Sequence, residues 1–560
     1  LAQSHPGLPS NTLIELLVRT SWLAALLPAG FFLIHAFYYL VWGVDDPFIS
    51  YRYARHLADG HGMVFNFGER VEGYSNFLYV IILAATYKVG FAPESISPWL
   101  GILASFCVIT FVALKGAAAQ QGIIKSRLAA WALAFSAPFA YWAPAGLETP
   151  VYMAFIFFGV WWAGCALHKP QQVNRCWYWA WTCLTLAALT RIEGPMVCIP
   201  VGIFGLLAWN RYHPTVRRRF LTGVVVSFLV QVLYHAWRLW YFRALFPNTF
   251  TAKATGNLSG RLEAGGEYLI KALVFDSLLV TALGMFAAIL YLTRKKPGDD
   301  IPEPSGSPDE SYVERPLCPH LPLFLSVIGL QLIFMVYVGG DWMHFSRFYL
   351  PVLPLAAVVA QDGLLRAFQL LKNRDPRHLK RDALALLCVV LLGVGLVTER
   401  LQGGPMMRAI GEHRIVSPML YLADLLKSTA DRPMTLAGEE AGYLPYFTDF
   451  RFFDMLGIVT PAVAAMPGGL HEKTNAPWIL DQEPDFIVLI AVPHDTTPHP
   501  PKEALFTGSK AMLAEERFFE EYEYVMYVRR GNKYFAHADI LLYQRRNDAP
   551  LRGTPLDPID

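Results

Sequence analysis

The chain has 560 residues, 54% of them hydrophobic and only 16% charged, with a positive mean hydropathy, which is too apolar for an ordinary soluble enzyme of this size and reads as a polytopic α-helical membrane protein. Formal net charge is +2 and the basic residues gather in a few loops, so no basic stripe marks a nucleic-acid partner. The cysteines sit mostly inside apolar segments with no C-x-x-C spacing, which argues against a disulfide framework or a zinc site.

The first apolar run, 22–42, ends without a small-residue cleavage site and is followed by more spans, so it is read as an uncleaved first transmembrane helix. Residue 1 is not Met and is not read as the start of translation. Further spans are predicted near 75–89, 97–115, 128–145, 151–167, 177–190, 194–209, 220–242, 270–293, 321–339, 349–369 and 383–400, given the ~20 apolar residues that a bilayer core requires. Basic loops at Arg211 to Arg219, at Arg294 and between Arg366 and Arg381 should be cytoplasmic. Counting outward from them puts every unusual polar motif on the opposite, outer face. It also requires that one of 75–89 and 97–115 fail to cross fully, which leaves about 11 spans with the N-terminus inside. The acidic, Pro-rich stretch 296–316 has the composition of a flexible cytoplasmic loop. Residues 1–400 are therefore expected to form a transmembrane domain with a first outer loop at 43–76. Residues 401–560, with strand-like runs "DFIVLIAV", "EYEYVMYVRR" and "YFAHADILLYQ", form a soluble extracytoplasmic α/β domain.

The first outer loop opens with "VDDPFISYRYARHLADGHG". Pro47 is a good first helical residue, and Asp45 or Asp46 could cap the helix that it starts. Two carboxylates are more than a cap needs: one could take a proton from an acceptor hydroxyl, or the pair could hold a divalent cation. Phe48, Tyr51, Ala54, Leu57 and Ala58 fall to one side of this helix and Arg52, Arg55, His56 and Asp59 to the other, the pattern of a short amphipathic helix on the membrane surface. "NFGERVEGYSNF" adds Glu69, Glu72, Tyr74 and Asn76, groups that either read sugar hydroxyls or form a loop salt-bridged to Arg52 or Arg55. Glu148 in "GLETP" and Arg191 with Glu193 in "TRIEG" sit at outer helix ends, where a charge is a functional candidate, although Arg191 and Glu193 could neutralise each other. His235, Arg238 and Arg243 lead to Asn248 and Lys253. Arg238 could snorkel, whereas Lys253, without an acidic neighbour in sequence, suits a phosphate. "GGDWMHFSRFYLPVLP" places Asp341, Trp342, His344 and Arg347 between two spans, with a Gly pair that permits close backbone approach. Arg347 is a second phosphate candidate, and the aromatics there are either an interfacial belt or a groove for a lipid chain.

Together, "DDPFISYRYARHLADGHGMVFNFGERVEGYSNFLY", "GLETP", "TRIEG", "PNTFTAK" and "GGDWMHFSRFYLPVLP" resemble the bacterial glycosyltransferase C superfamily of polyprenyl-phosphate-sugar-dependent transferases. The pattern is most similar to the terminal arabinofuranosyltransferases of the mycobacterial cell wall. The resemblance implies a catalytic aspartate in the first outer loop, Asp45 or Asp46, with Asp45 favoured at the mouth of the first span. It implies donor-phosphate contacts at Lys253, Arg347, Arg191 and Arg52. Glu72, Tyr74, Asn76, Glu148, Glu193, His235, Arg238, Asn248, Asp341, Trp342 and His344 are the sugar or acceptor candidates. The partners implied are a polyprenyl-phosphate sugar donor, a glycan or glycoprotein acceptor and the bacterial cytoplasmic membrane. The one cofactor candidate is a divalent cation. A hexose transferase of the same fold and a flippase of lipid-linked sugar are the competing readings. A flippase predicts charges near the bilayer midplane, whereas here they sit at outer helix ends.

Overall fold

The computed structural model describes residues 26–40, 44–119, 127–170, 175–254, 258–273, 317–341, 343–374, 419–430, 432–470, 472–491, 506–530 and 538–546. The predicted span 383–400, all but the start of 270–293, the acidic loop 296–316 and the boundary at 400/401 lie outside them.

The helices in chain order are α1 (Leu26–Tyr38), α2 (Pro47–Ala58), α3 (Phe77–Lys88), α4 (Pro93–Ala119), α5 (Leu128–Phe135), α6 (Ala137–Trp142), α7 (Thr149–His168), α8 (Cys176–Thr190), α9 (Pro195–Leu207), α10 (Pro214–Phe242), α11 (Asn248–Ala254), α12 (Leu258–Lys271), α13 (Leu321–Val338) and α14 (Leu353–Arg374). Among the described residues, five helical runs are long and apolar enough to cross a membrane: Pro93–Gly116, α7, α10, α13 and Phe345–Leu365. With 12 residues, α3 reaches only about 18 Å. Of the two neighbouring spans that could not both cross, it is the short one.

One predicted span is broken next to a proline, and a second starts as a tighter helix. The run 128–145 divides at Ser136, which adopts an extended backbone and accepts the Phe139 N–H at 3.4 Å on its hydroxyl. Pro138 has no N–H to continue the ladder, and its ring would crowd the carbonyl one turn back. The run 349–369 starts instead as a 3₁₀ stretch, His344–Val352, that contains Pro351 and passes into α14 only at Leu353. Phe345 and Ser346 there have φ of 54° and 45°, left-handed backbone that costs a non-glycine residue about 1–3 kcal/mol.

Small residues let the helices close. Any Cβ at Gly223 of α10 would lie 2.2 Å from the Trp181 ring of α8. Leu221, Val225, Phe228, Leu229 and Leu233 of α10 remain exposed, as lipid-facing side chains do, since a helix that is apolar all round needs either a core or a membrane.

The C-terminal part is a five-stranded mixed sheet in the order β2-β1-β3-β5-β4, with β1 (Thr435–Gly438), β2 (Arg451–Asp454), β3 (Phe486–Ala491), β4 (Tyr522–Arg530) and β5 (Ala538–Arg545). β1, β2 and β3 run parallel, and β5 and β4 are antiparallel additions. β3 is buried at every position, which is why it reads as an unbroken apolar run. All three strands expected from sequence form among the described residues, the third from Ala538 onward.

The helix α2 forms where predicted but does not lie on a membrane surface with its polar side in water. Ten of its twelve residues are buried, Arg52 and His56 included, because the sheet unit covers the side that carries them.

Candidate active site

The polar residues of the first outer loop divide into those that dock the sheet unit and those that turn toward the helix ends. Asp45 belongs to the first group. Its carboxylate accepts the main-chain N–H groups of Gly442 at 2.9 Å and Tyr443 at 2.7 Å. Arg52, expected at a donor phosphate, is a strut: it donates to the carbonyls of Phe65 at 2.7 Å, Phe450 at 2.8 Å and Pro445. Asn248, expected at a sugar, donates to the carbonyls of Gly457 and Ile458 at 2.7 and 2.9 Å. Glu69 pairs with Arg451 and Arg55 with Asp449, not with each other's neighbours in the loop. Tyr74 is buried and its hydroxyl donates to the Met63 sulfur at 3.5 Å, which turns it into the loop's own core rather than toward a ligand. Asp46 does not cap α2 with its side chain: its backbone is already helical, at φ −51° and ψ −40°, whereas a capping residue normally sits in the extended region.

The second group forms a buried charged cluster. Ser50, on α2, bonds Asn76 at the start of α3, and the Asn76 amide donates to Glu148 Oε2 at 2.8 Å. Glu148 precedes α7 and Arg191 follows α8. The Arg191 guanidinium bridges Glu148 through Nη1 and Glu193 through Nε. Burial alone would push the Glu148 carboxyl up, but Arg191, Arg347 and the Asn76 amide together hold it below its usual value. Arg347 pairs with Asp341, Nε to Oδ2 at 2.7 Å, with angles outside hydrogen-bond geometry. The Arg191 and Arg347 guanidiniums lie 5.5 and 5.4 Å from the Phe348 ring centroid, so two cations share one aromatic ring. Two features aim this stretch. Trp142 donates its indole N–H to the Phe345 carbonyl at 3.4 Å, and Gly340, at φ 77°, leaves the room that Tyr268 fills.

Beside the cluster opens a small cleft between the ends of α8, α9 and α10, lined among others by Glu72, Ser75, Arg191, Tyr234, His235 and Arg238. Glu72 clamps Arg238 through Nε at 2.9 Å and Nη2 at 2.6 Å. Burial pushes the Glu72 carboxyl up against the pull of that guanidinium. Each cleft arginine thus has Nε and one terminal nitrogen committed to carboxylate. Lys253 lies in α11; its side chain, that of His344 and all of Trp342 lie outside the described residues. No group of three acidic, His or Cys side chains suited to a metal occurs among the described residues.

A solved structure of ArnT from Cupriavidus metallidurans bound to undecaprenyl phosphate matches with a TM-score of 0.53 at 12% identity, over 94% of this chain and 99% of that one. The chain has the glycosyltransferase C fold. In sequence it resembles terminal beta-(1->2)-arabinofuranosyltransferases. That of Mycobacterium tuberculosis is 26% identical over 343 residues, covering 58% of this chain and 53% of the relative. That of Corynebacterium glutamicum is 26% identical over 382 residues, covering 63% and 52%. The chain spans about half the length of these two relatives. A family described as a domain of unknown function, DUF8728, matches residues 408–543, which hold the sheet unit.

Within this glycosyltransferase C fold, sequence reasoning passed over Ser50, Ser75, Tyr234 and Gly442, and named Phe348 only as a belt or lipid-groove aromatic, not as the ring that two guanidiniums share. Ser50 carried a signal, since it stands one helical turn after Asp46. Gly442 carried none, because its partner is 397 residues away.

Proposed function

We propose that the protein is a membrane glycosyltransferase that moves a sugar, D-arabinofuranose, from a polyprenyl phosphate donor to a cell-envelope glycan or surface-protein acceptor at the outer face of the bacterial cytoplasmic membrane. The supporting observation is the cleft lined by both Arg191 and Arg238, each braced by a carboxylate that fixes its direction. A guanidinium carries five N–H donors, so a braced arginine still presents Nη donors to a phosphate. The names of the sequence relatives support the arabinofuranosyl donor, and the lipid phosphate in the ArnT structure supports its carrier.

In the reaction, the acceptor hydroxyl oxygen bonds to the anomeric carbon as the bond from that carbon to the phosphate oxygen breaks. The leaving lipid phosphate takes the bonding pair and the hydroxyl proton goes to a carboxylate. Asp46 is assigned that role, Arg191 and Arg238 carry the growing phosphate charge with Arg347 behind Phe348, and burial strengthens the effect. Lys253 is retained as a further phosphate ligand. Glu72, Asn76, Glu148 and Glu193 brace the arginines, and His235 faces the donor.

The test is purified full-length protein in nanodiscs, offered polyprenyl-phosphoryl arabinofuranose or mannose with an arabinan acceptor. Arabinose transfer that falls by roughly 10²–10⁴-fold in Asp46→Asn, and by a similar factor in Arg238→Gln, is expected. Lipid scrambling without transfer would sink the reading, and transfer of mannose alone would correct its sugar.

A further inference from the structure

The pair Asp45-Asp46 is split by the geometry of α2. Asp45 lies in the bend before α2 and Asp46 is its N-cap, and the two aspartates meet different surroundings. Asp46 has helical backbone one turn before Ser50, so the two positions share a face, and Ser50 leads through Asn76 to Glu148. Asp45 turns to the sheet unit, where two consecutive main-chain N–H groups meet its carboxylate. Glycine is required opposite it: a Cβ on Gly442 would stand 2.1 Å from the Asp45 carbonyl oxygen and 2.4 Å from its carboxylate carbon. The segment that supplies these N–H groups is itself fixed from two directions. Phe48 of α2 packs on Tyr443 at 4.2 Å and on Tyr446 at 5.2 Å between ring centroids, and the Tyr446 hydroxyl donates to Glu94 of α4 at 2.6 Å.

We propose that the sheet unit is a positioning part of the active site: the Gly442–Tyr443 main chain holds Asp45, and through it sets the first turn of α2 that presents Asp46 to the charged cluster. Gly442 and Asp45 are positioning residues, and Asp46 is the reacting carboxylate. The consequence for turnover rests on the glycosyltransferase reading; the anchorage itself does not.

The experiment compares Gly442→Ala, Asp45→Asn, Asp46→Asn and Asn66→Ala in the full chain, reading kcat, KM for the lipid donor and hydrogen exchange across residues 47–52. Gly442→Ala is expected to speed exchange in that segment and to lower kcat at least about tenfold, the worth of one lost charge-assisted hydrogen bond, with KM little changed. Asp45→Asn keeps an acceptor oxygen for one of the two N–H groups and turns its NH2 toward the other, so it should lose about tenfold, as Gly442→Ala does. Asp46→Asn should be far less active. Asn66→Ala, in the same interface but away from Asp45, should leave kcat unchanged. Exchange or kcat unmoved in Gly442→Ala overturns the proposal, as does Asp45→Asn falling as far as Asp46→Asn. Should the parent protein transfer no sugar, the glycosyltransferase reading fails while the exchange comparison still decides the anchorage.

Discussion

At Arg191 one guanidinium neutralises two buried carboxylates, Glu148 and Glu193. Removing it strands both, at about 3–5 kcal/mol, so Arg191→Ala is expected not to accumulate as folded protein, measurable by size-exclusion in detergent. Arg191→Lys keeps the charge but not the fork that reaches two carboxylates at once; it should fold and lose turnover. Strain offers a second residue-scale test. Ser346→Gly removes the cost of a left-handed serine, about 1 kcal/mol or more, so a higher melting temperature with lower kcat is expected as Arg347 loses its aim. The types and spacing of the charged residues were legible in "TRIEG" and "GLETP", because ionisable groups at helix ends are rare in apolar chains. The local pair Arg191–Glu193 was legible as well, but the partnership with Glu148 was not, since Glu148 and Arg191 lie 43 residues apart.

Among the elements, helix starts and apolar runs were readable from sequence, and the break ahead of Pro138 and the 3₁₀ start ahead of Leu353 were the misses. Hydropathy averages over a window and does not register one absent N–H, whereas the backbone ladder does. The sheet unit gives an element-scale prediction through Glu439, at the end of β1. Its carboxyl is pushed up to about 7 by burial, against the hydrogen bonds from the Ser509 N–H and hydroxyl. With a folded value above the ordinary 4.5, protonation favours the native state. The stability that this contributes is complete below about pH 4.5 and is lost as pH rises through 7. Glu439→Gln should therefore leave stability unchanged near pH 4 and raise it progressively up to about pH 8, by about 3 kcal/mol at most. Urea unfolding of the full chain, followed by exchange at the β1 amides, checks the sign.

For the whole molecule, the amphipathic look of α2 was the most misleading signal in the sequence. A polar stripe beside an apolar one means water on one side only if nothing else covers it, and here the sheet unit does. The contacts that cover it differ in weight. Arg451 and Glu69 are partly exposed at 55% and 33%, so Arg451→Ala should cost no more than about 1 kcal/mol. Arg52 is buried, and Arg52→Ala takes the donor from the Phe65 and Phe450 carbonyls, at about 1–3 kcal/mol apiece, while the Pro445 carbonyl keeps the Asp449 N–H at 3.2 Å. Limited proteolysis should then cut between the two parts in Arg52→Ala and not in Arg451→Ala.

The loop that follows α2 also touches the rim of the sheet. Asn66 receives the Phe452 N–H at 3.0 Å and donates to the Phe452 carbonyl at 3.0 Å, so one side chain stands in for a neighbouring strand along β2, the outermost strand on that side. An uncovered rim of this kind recruits other chains. Residues 419–546 expressed as a separate fragment would carry that rim bare and should self-associate, and a short peptide bearing Asn66 in its loop should act as a plug that keeps the fragment monomeric.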